Sequence, residues 1–292
     1  MLPKDYIAYR LTGVHCTDVS DASGMLIFDV KNRCWSKEMC EICGVRENQL
    51  AKVYESYETV GTVLPAIADE LGIPHTVKVA AGAGDNAAAA VGTGTVGDGM
   101  CNISLETSGT IFISSEKFGV DKHNALHAFA HADGHYHLMG ERSPHNNPNA
   151  RGTFIGMTMD TSRADMTQAV LEGVAFALRD SLEVAKSLGI KIERTKICGG
   201  GAKSPLWRKI IANVMNLKVD MIESEEGPAL GGAMLAAVAC GEYENVEAAA
   251  DKLVKIIGTV EPEPELVAKY EERYQQFRQI YPACKPLFEI IK

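Results

Sequence analysis

Short apolar runs followed by glycines and then by a longer alanine-rich or amphipathic stretch recur along this 292-residue chain. Residues 77–81 have the length and composition of a buried strand, Gly82-Ala83-Gly84 turns the chain, and residues 85–91, rich in alanine, predict a helix. The same order returns with a strand at 195–198, a tight Gly199-Gly200-Gly201 loop and a helix at 206–217. Ser204 stands as its N-cap and Pro205 at its first position. Leu206, Ile210, Ile211, Val214 and Leu217 would form its apolar face. A third unit runs from a strand at 219–222 through Gly227-Pro228 into a helix at 229–240. Repeated strand–glycine–helix units define an α/β protein.

Between these units the period falls to two. Residues 102–105 and 110–113 predict paired strands around Glu106-Thr107-Ser108-Gly109, and 127–131 and 135–139 a second hairpin around Ala132-Asp133-Gly134. Ser162 and Asp165 form a capping box for a long helix with Met166, Val170, Val174, Leu178 and Leu182 on one face, closed by Gly189. Tyr270, Tyr274, Phe277 and Tyr281 recur at helical spacing, as a packing face does.

With 46% hydrophobic and 23% charged residues the balance is that of a soluble globular protein large enough for a sizeable core. A net charge of -9 without a basic stripe argues against nucleic acid. No signal-peptide pattern and no membrane-length apolar run are present, and eight cysteines are too sparse for a disulfide scaffold, so a cytoplasmic protein with free thiols is expected. Cys40 and Cys43 form a CxxC that no second pair or histidine completes as a zinc site. The histidines at 123, 127, 131, 135 and 137 likewise lack a Cys or carboxylate to complete a metal set, so no metal site is expected there.

Each glycine turn precedes a helix and can offer free N–H groups to an anion, which suggests a phosphate-bearing ligand. The loop at 199–204 lacks Walker A spacing, and close packing of strand on helix would also explain it. Gly82-Ala83-Gly84-Asp85-Asn86-Ala87 fits the GxGxxA dinucleotide fingerprint, with Glu106 near the ribose-binding offset. Asp85, however, would set a carboxylate beside the pyrophosphate. A carboxylate at a helix start suits phosphoryl transfer, as the base that orients a hydroxyl and accepts its proton; Asn86 can hydrogen-bond a polyol. A plain N-terminal aspartate remains the competing reading.

The residues also resemble the FGGY carbohydrate kinases. The family's second signature is matched by Gly152-Thr153-Phe154-Ile155-Gly156-Met157, Asp165-Met166 and Ala169-Val170-Leu171-Glu172. Leu2-Pro3-Lys4-Asp5-Tyr6, Arg10-Leu11-Thr12-Gly13 and Asp18-Val19-Ser20-Asp21-Ala22-Ser23-Gly24 resemble the N-terminal domain past its midpoint. The stretch from Glu141-Arg142-Ser143-Pro144-His145 to Gly152, with Asp85-Asn86, is more similar to xylulose kinases than to glycerol kinases.

The resemblance implies an actin-like ATPase (ribonuclease H-like) fold, with the remainder of the sugar-side domain at 1–98 and the ATP-side domain at 99–292. It implies ATP-dependent phosphorylation of a ketopentose, D-xylulose to D-xylulose 5-phosphate, with Mg²⁺ entering on ATP. Asp85 would be the catalytic base and, with Asn86, would bind the sugar. Thr107, Ser108, Gly109 and Thr110 would meet the phosphates, and Gly200, Gly201 and Ser204 the adenosine. A homodimer is compatible with the pattern.

Three departures from the family are expected to matter. The family's first phosphate hairpin would precede Met1, a helical segment is missing at a junction near 140/141, and Glu106 replaces the glycine of the phosphate loop. They leave two further readings open: a non-catalytic nucleotide-binding remnant or pseudo-kinase, and a kinase of another sugar or polyol. They also lead one to expect exposed core and marginal stability.

Overall fold

The computed structural model describes residues 1–140, 144–224 and 226–291. The N-terminal part runs α1 (Pro3–Thr12), β1 (Cys16–Asp18), α2 (Val19–Ser23), β2 (Phe28–Asp29), β3 (Cys34–Trp35) and α3 (Lys37–Cys43). It continues through β4 (Lys52–Tyr54), β5 (Thr59–Thr62), α4 (Pro65–Leu71), β6 (Lys78–Ala80) and α5 (Asp85–Gly92). These strands associate in pairs, β1 parallel to β4, and β2 with β3 and β5 with β6 antiparallel. The strand before the Gly82 turn is therefore β6 of an antiparallel pair and not part of a parallel βαβ unit, as a dinucleotide fingerprint would need. A short apolar run carries no mark of which partner it takes.

The C-terminal part begins with β7 (Cys101–Leu105), β8 (Gly109–Ser115), β9 (His127–Ala130), β10 (Tyr136–Gly140), α6 (Arg163–Ser187) and β11 (Arg194–Cys198). It ends with α7 (Pro205–Met215), β12 (Lys218–Ile222), α8 (Gly227–Cys240), α9 (Val246–Leu253), β13 (Ile256–Val260) and α10 (Pro264–Phe288). Its strands form one seven-stranded sheet in the order β13-β12-β11-β7-β8-β10-β9. β7, β11 and β12 are parallel, while β8 pairs antiparallel with both β7 and β10. The two later strand–glycine–helix units thus lie in this sheet as expected. The expected boundary at 98/99 falls in the turn-rich connection between α5 and β7. The expected junction at 140/141 borders residues 141–143, which lie outside the described residues.

Alternation in the strands sends Ile103, Leu105, Ile111, Ile113 and Leu138 to one face of the sheet, where they pack with Leu178 and Leu182 of α6 and Ile210, Ile211 and Val214 of α7. Each such burial contributes about 1.5–3 kcal/mol. Tyr270 and Tyr274 of α10 pack near Phe176, as their spacing predicts, and their hydroxyls donate to Glu172 and Asp180. Two expected core positions are instead exposed: Leu206 at 57% and Val170 at 52%. Val170 lies on the first turns of α6, which share an open apolar groove with exposed Phe154 and Ile155.

α5 and α8 cross backbone to backbone. A Cβ on Gly92 would overlap the Gly227 carbonyl, and one on Gly231 would overlap the Ala88 carbonyl. Small residues therefore clamp the helix that carries Asp85 against the C-terminal part, with Val91, Met234 and Leu235 buried around the crossing.

Candidate active site

Asp85 opens α5, and its Oδ1 accepts from the Asn86 N–H at 2.7 Å. Both residues are exposed and line a cavity of about 160 Å³. Ser20, Asp21 and Gly84 complete its N-terminal wall, whereas Phe129, His137 and Met139 come from the sheet of the other part.

Behind this cavity lies a buried polar platform. The Lys4 ammonium sits 2.8 Å from Asp5, 3.0 Å from Asp18 and 3.4 Å from Asp21, and donates to the Ala81 carbonyl at 3.3 Å. Burial opposes its charge, but Asp18 and Asp5 outweigh that and hold its pKa above the usual lysine range. Asp18 Oδ2 accepts from the hydroxyls of Ser20 at 2.5 Å and Ser56 at 2.7 Å. The Ser20 hydroxyl in turn accepts the Gly84 N–H. A Cβ on Gly84 would lie 2.8 Å from Asp21 Oδ1, so a larger residue there would push the Asp21 carboxylate aside. Burial pushes the Asp21 carboxyl up, against the pull of Lys4. Lys4, Asp5, Asp18, Ser20 and Asp21 belong to the N-terminal motif, which carries no sign of their meeting here; Ser56 lies outside it.

A second cavity, of about 420 Å³, opens between the β11–α7 loop and β12 and is lined by Glu106, Gly199, Gly200, Lys203 and Arg208 among others. The predicted nucleotide residues divide around it. Gly200 lines it; Gly201 and Ser204 shape it from behind. A Cβ on Gly201 would lie 2.6 Å from the Trp207 ring, and Ser204 Oγ accepts from the Trp207 N–H at 3.3 Å as the predicted cap. Gly199 has φ +87, and a Cβ there would strike Glu106 and the Leu105 carbonyl, so close packing and ligand access demand the same glycines. Thr107 and Ser108 are exposed at the β7–β8 tip, Gly109 and Thr110 begin β8, and of this turn Glu106 faces the cavity.

The histidine stretch needs one correction. Carboxylates do join it: Asp133, His135 and Glu247 bring ligand atoms within 4.8 Å of one another. Asp133 lies within the stretch itself, whereas Glu247 sits on α9, far along the chain. Despite burial, His131 and His135 hold the Asp133 carboxyl well below the usual range, and the Asp133 carboxylate beside its ring raises His135. His135 Nδ1 lies 3.6 Å from Asp133 and 3.9 Å from Glu247. Cys40 is buried and Cys43 exposed on α3, and every cysteine among the described residues is free.

An aspartate at a helix start beside one cavity and a glycine-lined cavity on a neighbouring sheet are the parts of an α/β phosphotransferase. Residues 1–92 match the model of the N-terminal domain of the FGGY family of carbohydrate kinases, and residues 101–240 match its C-terminal domain. The xylulose kinase of Escherichia coli is 35% identical over 335 aligned positions, covering 98% of this chain and 69% of that protein. The Bacillus subtilis xylulose kinase is 30% identical, covering 100% and 68%. Among solved structures, the xyloylose kinase of Brucella ovis superposes with a TM-score of 0.94 at 33% identity, covering 98% of this chain and 69% of that one.

The chain therefore belongs to the FGGY family of carbohydrate kinases and has its actin-like ATPase fold. The Escherichia coli alignment is longer than the chain's 292 residues, so that relative carries residues without counterpart here.

Proposed function

We propose that the chain transfers the γ-phosphoryl group of ATP to a ketopentose, converting D-xylulose to D-xylulose 5-phosphate in the cytoplasm. The observation that carries this reading is Asp85, exposed at the start of α5 on a cavity that residues of the sheet also line, in a chain similar to xylulose kinases. Asp85 orients the sugar hydroxyl and accepts its proton; Asn86 hydrogen-bonds the polyol. Thr107, Ser108, Gly109 and Thr110 meet the phosphates. Gly200 meets the adenosine, with Gly201 and Ser204 fixing the shape of its wall.

The exposed carboxylate of Asp85 is a hard donor of the kind Mg²⁺ accepts, which fits an ion brought in on ATP. When bound, it supplies charge neutralisation on the phosphates. One observation favours a second reading, a nucleotide-binding protein without turnover: the Glu106 carboxylate lines the nucleotide-side cavity.

The test is ADP formation by the purified chain with Mg·ATP, with and without D-xylulose, beside Asp85→Ala. Xylulose-dependent turnover that Asp85→Ala removes supports the kinase. Saturable ATP binding without turnover supports the second reading, and turnover with another sugar in a ketose and polyol panel redirects the substrate.

A further inference from the structure

Three histidine ring nitrogens in the sheet region are buried without a hydrogen-bond partner among the described residues: Nδ1 of His131, His135 and His137. The first two have other ties. His131 Nε2 meets the Thr95 carbonyl at 2.9 Å, and His135 Nδ1 lies 3.6 Å from an Asp133 carboxylate oxygen. His137 Nδ1 has no such tie among the described residues, and His137 is the one of the three that lines the cavity holding Asp85 and Asn86.

Its placement is fixed by packing. His137 is 4% exposed and lies flat between two rings, Phe112 at 4.0 Å and Phe129 at 5.2 Å, with interplanar angles of 18° and 16°. Along β10 it shares a face with Met139, and its cross-strand neighbour Phe129 lines the same cavity. The stack removes ring freedom before any ligand arrives, so an added hydrogen bond costs little ordering entropy. Burial, helped by His131, keeps the imidazole neutral. A neutral imidazole carries one N–H donor and one acceptor nitrogen, the pair that matches an alcohol. A buried ring nitrogen left without a partner is costly, and a ligand oxygen that met it would recover that cost.

We infer that His137 is a sugar-binding residue, hydrogen-bonding a hydroxyl or carbonyl oxygen of the ketopentose from the sheet side of the cavity that Asp85 also lines. This rests on the kinase reading for the identity of the ligand. Asp85 then works from the N-terminal part and His137 from the sheet, so the substrate bridges the two.

The test compares the parent chain with His137→Phe, which keeps the stacked ring, and His137→Gln, which restores a polar group. His137→Phe is expected to raise the KM for D-xylulose at least tenfold and to leave the KM for ATP within twofold, with His137→Gln recovering part of the loss. An unchanged xylulose KM in folded His137→Phe, or equal rises in both KM values, overturns the inference.

Two readouts stand apart from turnover. D-Xylulose should raise the melting temperature of the Asp85→Ala chain but not that of the Asp85→Ala, His137→Phe chain. In the unaltered chain the ring-nitrogen resonances of His137 should move when D-xylulose is added. If the parent shows no turnover but these responses appear, the kinase reading fails and the sugar contact stands. Resonances that do not move under saturating D-xylulose, whether or not the variants fold, sink the contact itself.

Discussion

The Gly84 N–H donates to Ser20 Oγ at 2.9 Å, tying the turn that carries Asp85 to α2 across most of the N-terminal part. The same hydroxyl donates to Asp18, itself held by Lys4. Ser20→Ala leaves the Gly84 N–H and one Asp18 lone pair without their partner. Loss of such buried bonds costs about 1–3 kcal/mol. We expect a lower midpoint in urea and a fall in kcat that exceeds any change in the KM for ATP, because the nucleotide-side loop is untouched. An unaltered kcat would show that the turn holds Asp85 without this bond.

Glu106 places a carboxylate at the mouth of the nucleotide-side cavity, beside Gly199. An exposed charge near a phosphate is screened, so its repulsion is on the order of 1 kcal/mol, or about fivefold in affinity. Glu106→Gln should tighten ATP by that factor. Glu106→Gly should tighten it further by opening the backbone to approach. Direct ATP titration at low and high salt distinguishes the two effects, since salt weakens only the first.

The α5–α8 crossing yields a paired prediction. Gly231→Ala drives a methyl into the Ala88 carbonyl and should cost more than about 3 kcal/mol or prevent folding. Gly232 is next in the same helix, and a Cβ there meets nothing within 4 Å. Gly232→Ala should therefore stabilise by about 0.5–1 kcal/mol through helix propensity alone. Comparable unfolding midpoints for the two variants would refute the crossing.

Strands, glycine turns, the Ser204 cap and the Ser162–Asp165 box were legible because each is written in neighbouring residues. Asp85 was legible for the same reason, as a carboxylate directly after a glycine turn. The platform beneath it was not. Lys4 reaches Ala81 and Asp18 reaches Ser56 across separations that no local period records. Glycine is equally mute about its reason: Gly199 and Gly201 suggest a phosphate loop, yet both also stand where a methyl would strike Leu105. Val170 followed the helical period and still came out exposed, because periodicity marks an apolar face without saying whether anything covers it.

Lys196 makes stability depend on pH in a window that can be isolated. It lies buried on β11, and its ammonium donates to the Gly94 carbonyl at the end of the α5 connection. Burial lowers its pKa from 10.5 to about 8, against the pull of Asp220. Between those values the unfolded chain binds the proton that the folded chain has released, so stability rises with pH. The contribution is complete above 10.5 and gone below about 8. Burial of Cys101 and Tyr270, both pushed up to about 12, works in the opposite direction, because their unfolded forms ionise first. Subtraction removes that background. In Lys196→Met, Asp220 keeps Arg194 and Thr259 as partners. Urea unfolding of both chains should therefore show the parent gaining on Lys196→Met by up to about 3 kcal/mol from pH 8 to 10.5. Parallel curves across that window would mean that Lys196 keeps its proton in the folded chain and that its cavity is wetter than the packing around Gly94 implies.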